Sequence, residues 1–386
     1  MANLKSFIMF VSIALLVYTA TNYYIYRRAV QAASAAGWAG VALRVVLLTA
    51  ILAYPLGRAL GGSWGVSKIF IWVGSFWFAA MSYGLLIALL VDLIRFGDLL
   101  TGWLPSWVLG DRIQSGRMVF AVSAVMIGML LLGGHIRSLY PVIHEVPITL
   151  DKLSPERGEY RIALFADTHL GELVGERRMS RIADQVNNLN VNLCLIVGDL
   201  VDESPKHLEW AVEPLKKLTA PDGVWAVTGN HEFYAGIEES TALMERAGIK
   251  LLRDSVVEIP GELSLIGLDD VTGSRQFQRS VKPISELVGA ANRNLPTLLM
   301  HHSPLRLQEA ERAGVDLMIS GHTHRGQIWP FGYIAQAVYG VDAGLTQIDR
   351  MKFYLTTGAG TWGPPVRVGA RPEIVVLVLK PNERKT

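Results

Sequence analysis

The chain has one cysteine, Cys194, among 386 residues, so no disulfide can close within it. That excludes a small disulfide-stapled scaffold. It also excludes a structural zinc cluster built on several thiolates. Cys194 lies in the apolar run 193–197 and reads as a small core residue. Charge is scarce too. Asp, Glu, Lys and Arg make up 18% of the chain, and the net charge is +2. No Lys/Arg-rich block occurs, so the electrostatic footprint of a nucleic-acid binder is missing and no nucleic-acid partner is expected.

Apolar residues are abundant at 51%, and they are unevenly placed. Residues 1–136 carry long apolar runs, whereas charge returns at ordinary density from about residue 145. Crossing a bilayer takes about 20 mostly apolar residues. Residues 6–26, 38–57, 69–94 and 118–134 meet that requirement, giving four expected spans. The second contains Arg44 and Pro55, but Arg44 lies near one end, where its stem can snorkel to the interface. Tyr23, Tyr24, Tyr26, Trp38, Trp103 and Trp107 fall near span edges, where aromatic rings collect. A cleaved leader at 1–20 would still leave the later spans in the membrane. The composition shift divides the chain into a membrane domain, 1–137, and a second domain, 138–386. Loops after the first and third spans hold Arg27, Arg28, Arg95, Arg112 and Arg117, against Lys5, Arg58, Lys68 and Arg137 on the other side. The positive-inside rule then leans the second domain out of the cytoplasm.

In the second domain the pattern changes to short, near-continuous apolar runs at 160–166, 193–197, 224–228, 297–300 and 316–320. Such runs suit strands buried on both faces. Helical stretches at 176–188 and 238–247 lie between them, so the expected fold is α/β, with a layered central sheet and flanking helices. Each run ends in chemistry. The first stops at Asp167-Thr168-His169, the second at Gly198-Asp199-Leu200-Val201-Asp202, and the third at Gly229-Asn230-His231-Glu232. The fourth stops at His301-His302-Ser303-Pro304 and the fifth at Gly321-His322-Thr323-His324. Ligand sites of open α/β sheets lie at that edge. Glycines before Asp199, Asn230 and His322 are expected to let the backbone turn tightly.

Carboxylates and imidazoles together suit divalent Mn, Fe or Zn. Two such ions about 3.5–4 Å apart share a bridging ligand and clamp both oxygens of a phosphoryl transfer. A carboxylate from a central strand is the natural bridge, which points to Asp199.

The order Asp-x-His, Gly-Asp-x-x-Asp, Gly-Asn-His-Glu, His, Gly-His-x-His resembles the calcineurin-like metallophosphoesterase superfamily, over about residues 145–380. The tail Gly358-Ala359-Gly360-Thr361-Trp362-Gly363-Pro364-Pro365-Val366-Arg367 is similar to its membrane-associated bacterial branch. The resemblance implies two divalent metal ions. Asp167, His169, Asp199 and His324 would hold one; Asp199, Asn230, the fourth-block histidine and His322 would hold the other. His231 would donate a proton to the leaving oxygen, and Asp202 and Glu232 would orient ligands. Relatives place the fourth-block ligand two residues before a proline, which favours His302 over His301. Strand alternation agrees that only one of the pair can face the ions. Arg325 stands where many relatives have glycine, and reads equally as a contact to substrate phosphate or as a solvated loop arginine.

The expected function is therefore a membrane-anchored phosphoesterase that hydrolyses phosphate ester or pyrophosphate bonds by attack of a metal-activated hydroxide. A bacterial cell membrane and a lipid-linked phosphate substrate are favoured. Trp329, Phe331 and Trp362 could line an apolar approach, or simply pack in the core. Two other readings share the motifs: a nuclease or cyclic-nucleotide phosphodiesterase, and a non-catalytic membrane scaffold. The complete ligand set speaks against the scaffold.

Overall fold

A computed structural model of the chain describes residues 2–33, 37–61, 65–105, 112–154, 156 and 158–382. The chain divides into two compact units, Met1–Gly134 and His135–Thr386.

The first unit is helical, with α1 (Ala2–Ala33), α2 (Gly37–Ala59) and α3 (Gly65–Thr101), and α4 (Arg112–Ser138) begins in it. Among the described residues, α2, α3 and residues Ile113–Ser138 of α4 are long and apolar enough to cross a membrane. They contain the expected spans 38–57, 69–94 and 118–134, while 6–26 lies within α1. Trp107 is outside the described residues. Apolar side chains point outward along these helices, as at Val46, Leu93 and Met129. A helix that is apolar all round and uncovered by protein suits lipid and not water. Where α2 and α3 touch, a Cβ on Gly74 would lie 2.3 Å from the Tyr54 nitrogen, so only glycine permits that approach. Asp92, the acid that interrupts the α3 apolar run, accepts from Tyr24 Oη at 2.6 Å and from the Arg28 guanidinium. Its charge is thus paired, as an acid at a membrane-spanning segment requires.

Among its described residues the second unit holds twelve strands in two six-stranded sheets. The strands are β1 (Val142–Leu150), β2 (Tyr160–Phe165), β3 (Leu193–Val197), β4 (Val224–Val227), β5 (Lys250–Leu251), β6 (Ser255–Ile259), β7 (Leu263–Leu268), β8 (Thr297–His301), β9 (Leu317–Ser320), β10 (Gly344–Ile348), β11 (Met351–Leu355) and β12 (Glu373–Pro381). One sheet runs β1-β12-β2-β3-β4-β5 and the other β10-β11-β9-β8-β7-β6. The centres of both are parallel: β2, β3 and β4 in one, β7, β8 and β9 in the other.

Strand alternation explains the layering. Leu164, Leu195 and Val197 share one buried cluster with Leu265, Met300 and Ile319, so the inner faces of the two sheets form one core. The intervening residues Phe165, Cys194 and Ile196 face the other way, onto Met179, Ile182 and Val186 of α5 (Glu176–Asn187). Behind the other sheet, Ile266, Leu299 and Met318 pack on Ile284, Leu287 and Leu307. The order of layers is helix, sheet, sheet, helix. The layered sheet core with flanking helices expected from the sequence is present, and it is built from two sheets. A run of apolar residues shows that both faces of a strand are covered, but not whether a helix or a second sheet covers them.

Leu195→Ala should lower the stability of this unit by about 2–5 kcal/mol through the cavity left between the sheets. Thermal unfolding of the full chain in detergent reads it. A variant as stable as the parent would mean that the two sheets do not bury this face together.

Candidate metal centre

The C-terminal ends of β2, β3 and β4 in one sheet meet those of β8 and β9 in the other. The turns after them are tight. Asp167, His169, Asp199, His322 and His324 have φ of 55, 53, 50, 75 and 49°, in the left-handed region. Non-glycine residues adopt it at a cost, and such residues collect at functional sites. The three glycines differ in duty. Gly198 has φ 78° and makes the expected turn. Gly229 and Gly321 are needed for space instead: a Cβ would lie 2.1 Å from Asp199 Oδ1 at Gly229 and 2.5 Å from Asp167 Oδ2 at Gly321.

Asp199 occupies the middle. Its Oδ2 is 3.0 Å from His302 Nε2 and 3.8 Å from His169 Nε2. Its Oδ1 accepts from the His231 main-chain nitrogen at 2.9 Å. Asp167 accepts from the His322 nitrogen at 3.0 Å, and its Oδ1 is 3.5 Å from His324 Nε2. His324 Nε2 in turn lies 3.0 Å from His169 Nε2. Three groups of possible ligands, each within 4.8 Å, follow: Asp167, His169 and His324; His169, Asp199 and His231; Asp199, His302 and His322.

These residues fit divalent cations. Asn230 Oδ1 is buried without a hydrogen-bond partner, and buried His302 Nε2 has only Asp199 Oδ2 to face, at 3.0 Å. Buried polar atoms are rarely left so unless an ion or water completes them. His302 Nδ1 donates to the Val197 carbonyl at 2.7 Å, which fixes the tautomer and leaves the Nε2 lone pair facing Asp199. Metal-binding histidines are commonly held this way through their other nitrogen. His301 points out of the cluster. Both of its ring nitrogens are buried and unpartnered, and burial lowers its pKa to about 4.

Burial opposes charge on Asp199, but the charge and hydrogen bond of His302 outweigh it and hold the carboxyl well below its usual range. Burial would strip His302 of its proton, yet Asp199 and Asp167 raise its pKa well above the ordinary value. Burial likewise opposes charge on His231, and its hydrogen bond to Asp202 with the charge of Asp199 lifts it to about 9. By contrast, burial keeps His322 neutral at about 4 and drives His324 well below its ordinary value, as ligation requires.

Supporting residues hold the turns. Asp202 Oδ1 is 2.7 Å from His231 Nδ1 and 3.2 Å from His169 Nδ1, so one carboxylate aligns two rings. Glu232, on the short helix α6 (Asn230–Ala235), accepts from the main-chain nitrogens of Gly229, Asp199, Leu200 and Val201. Arg325 forms a two-pronged pair with Asp342 at 3.1 and 3.0 Å, and is about half exposed. The Trp362 ring is 6.1 Å from that of His231 and stays exposed, as does Trp329.

Two contacts were not foreseen from the sequence. Tyr339 Oη meets His322 Nε2 at 2.8 Å. Arg367, fully buried, donates to the His324 carbonyl at 3.0 Å and to Gly360 O at 2.7 Å, and reaches His324 Nδ1 at 2.9 Å. Burial lowers its pKa to about 10, against the charges of Asp167 and Glu373, which raise it. Arg367 was visible as part of the tail motif; nothing in the sequence marks Tyr339.

The profile of the calcineurin-like phosphoesterase family matches residues 160–326. An uncharacterized metallophosphoesterase of Helicobacter pylori is 35% identical over 263 residues, covering 66% of this chain and 70% of that one. One from Aquifex aeolicus is 31% identical over 255 residues, covering 65% and 97%. A transmembrane protein with metallophosphoesterase domain from Danio rerio is 30% identical over 283 residues, covering 70% and 65%. Relatives thus occur in animals as well as in bacteria, and the likeness is not confined to a bacterial branch.

His302→Ala should lower the content of divalent metal, because it removes a lone pair aimed at Asp199. His301→Ala should keep the metal and cost only packing. Metal analysis of both purified variants decides it; retention by the His302 variant and loss by the His301 variant would reverse the assignment.

Proposed function

The chain belongs to the calcineurin-like metallophosphoesterase family, and from that premise we propose a membrane-anchored, dinuclear phosphoesterase that acts on lipid-linked phosphate esters or pyrophosphates. The observation that carries this reading is the convergence of five strand ends, from two sheets, on one buried carboxylate, Asp199. Around it stand the imidazoles of His169, His231, His302 and His322, with an orphaned amide oxygen on Asn230. Asp167, His169, Asp199 and His324 would hold one ion, and Asp199, Asn230, His302 and His322 the other. When bound, divalent ions supply Lewis acidity, acidifying a water and neutralising phosphate oxygens.

The remaining work falls to the chain. Asp202 holds the Nδ1 edge of His231 at 2.7 Å. That leaves Nε2 as the atom able to donate a proton to the departing oxygen. His231 also lies close enough to Asp199 and His169 to ligate, so its role needs its own test. The membrane-length helices keep the catalytic unit with lipid-borne substrate, raising its local concentration without new contacts. We take α1 as a fourth span and place the catalytic unit outside the cytoplasm of a bacterial cell, from the arginines in the loops after the first and third spans.

Hydrolysis by full-length protein in detergent, with Mn, Zn or Mg, should be compared on p-nitrophenyl mono- and bis-esters, lipid phosphates and nucleotide sugars. Metal-dependent turnover with preference for lipid phosphates is expected; preference for bis-esters or cyclic nucleotides would favour a phosphodiesterase, and no turnover on any substrate would contradict the reading. His231→Gln should keep its metal and slow alkyl-ester hydrolysis by about 10²–10⁴-fold. The loss should be smaller on p-nitrophenyl esters, whose leaving group needs no proton. An equal loss on both, or loss of metal, would remove the general-acid role.

A further inference from the structure

After the last histidine pair the chain forms a nine-residue helix, α7 (Phe331–Tyr339), and none of its residues is buried. It carries no charge: its sequence is FGYIAQAVY. Helical spacing puts Tyr333 and Ala337, and Ile334 and Val338, on one stripe. Tyr333 is 68% exposed, Ile334 57% and Val338 70%, and Trp329 just before the helix is 55% exposed. Surface helices of soluble proteins turn their apolar stripe inward. This one turns it outward. The reason lies on the other side of the helix. Gly332 packs on Gly326 so closely that a Cβ on Gly326 would lie 2.2 Å from the Gly332 nitrogen. Tyr339 hydrogen-bonds His322 of the candidate metal centre. The inner side is therefore tied to the site, and the stripe is left facing away from it.

We propose that the stripe Tyr333, Ile334, Ala337 and Val338, with Trp329, is a docking surface for lipid bilayer, which seats the phosphoesterase site at headgroup level. The proposal rests on the reading of the N-terminal helices as membrane spans. That reading makes a bilayer the partner this chain always has at hand. The chemistry agrees. An uncharged stripe offers a charged protein partner nothing to pair with, whereas hydrocarbon asks for no pairing. Tryptophan and tyrosine bracketing aliphatic residues is the composition favoured at a membrane–water boundary. A patch of this kind left in water would be an aggregation liability.

The test uses the full chain in lipid vesicles. Ile334→Cys, Val338→Cys and, as a control on the exposed side of the helix Ile237–Arg246, Ala242→Cys each receive an environment-sensitive fluorophore. The native thiol does not compete, because Cys194 is buried and burial pushes it up to about 12. Labels at 334 and 338 should shift to the blue and be quenched by doxyl-bearing lipids, while the label at 242 is quenched by aqueous iodide. Iodide quenching at 334 and 338 equal to that at 242 would overturn the proposal. A blue shift without lipid quenching would overturn it too, since the stripe would then be covered by protein, such as a second copy. In parallel, Ile334→Asp combined with Val338→Asp should leave p-nitrophenyl ester hydrolysis unchanged and lower turnover of vesicle-embedded lipid phosphate by about tenfold or more. Equal turnover of both substrates would count against docking. The fluorescence needs no catalysis, so it fails or succeeds separately from the phosphoesterase reading.

Discussion

Glu232 accepts four main-chain N–H groups, from Gly229 at 2.6 Å, Leu200 at 2.8 Å, Asp199 at 3.0 Å and Val201 at 3.1 Å. This one buried carboxylate binds the turn after β3 to the turn after β4. Both turns are strained or crowded: Asp199 sits at φ 50°, and Gly229 has no room for a side chain. Without Glu232, four donors would be left buried and unpaired, each at a cost of about 1–3 kcal/mol. With it, Asp199 and Asn230 are presented side by side. The position of every other ligand is measured from Asp199, so the geometry of the centre depends on this clamp. The sequence marks Glu232 as the end of the Gly-Asn-His-Glu block, with an expected role in orienting ligands; its reach across to β3 is a property of the fold.

The centre concentrates charge where charge is expensive. Asp167, Asp199 and Glu232 are all buried, and among the described residues no lysine or arginine forms a salt bridge with them. Two sheets with a shared apolar core supply the rigid frame that keeps such groups together, and the imidazoles of His302 and His169 lie 3.0 and 3.8 Å from Asp199. Divalent ions held by the candidate ligands would neutralise these carboxylates and displace protons from the histidines. The arginines nearby are placed differently. Arg367 is spent on carbonyls and on the His324 ring, and Arg325 on Asp342, so cationic side chains shape the surroundings of the centre without neutralising it.

Much of this was legible in the sequence because the signals are local. The runs at 193–197 and 224–228 became β3 (Leu193–Val197) and β4 (Val224–Val227), and the stretch 176–188 became α5 (Glu176–Asn187). Each motif follows a strand directly, so recognising the strand located the candidate residues at its end. Nonlocal facts were not legible. β1 and β12 pair in parallel across more than half the chain, and His144 and Pro147 hide the apolar pattern of β1. The doubling of the sheet depends on which layer covers each face. Tyr339 reaches His322 only because α7 folds back over the turn. In the membrane unit the apolar runs declared themselves by length alone, while the pairing of Asp92 with Arg28 and Tyr24 had to be seen in space.

The central claim is that Asp199 is shared by two divalent ions. Metal per chain, measured by elemental analysis on purified full-length protein and on Asp199→Asn after equal dialysis, tests it most directly. Two equivalents in the parent and a marked loss in the variant are expected, since an amide is a poor bridge between two cations. Two full equivalents retained by Asp199→Asn, or a single equivalent in the parent at saturating metal, would contradict it.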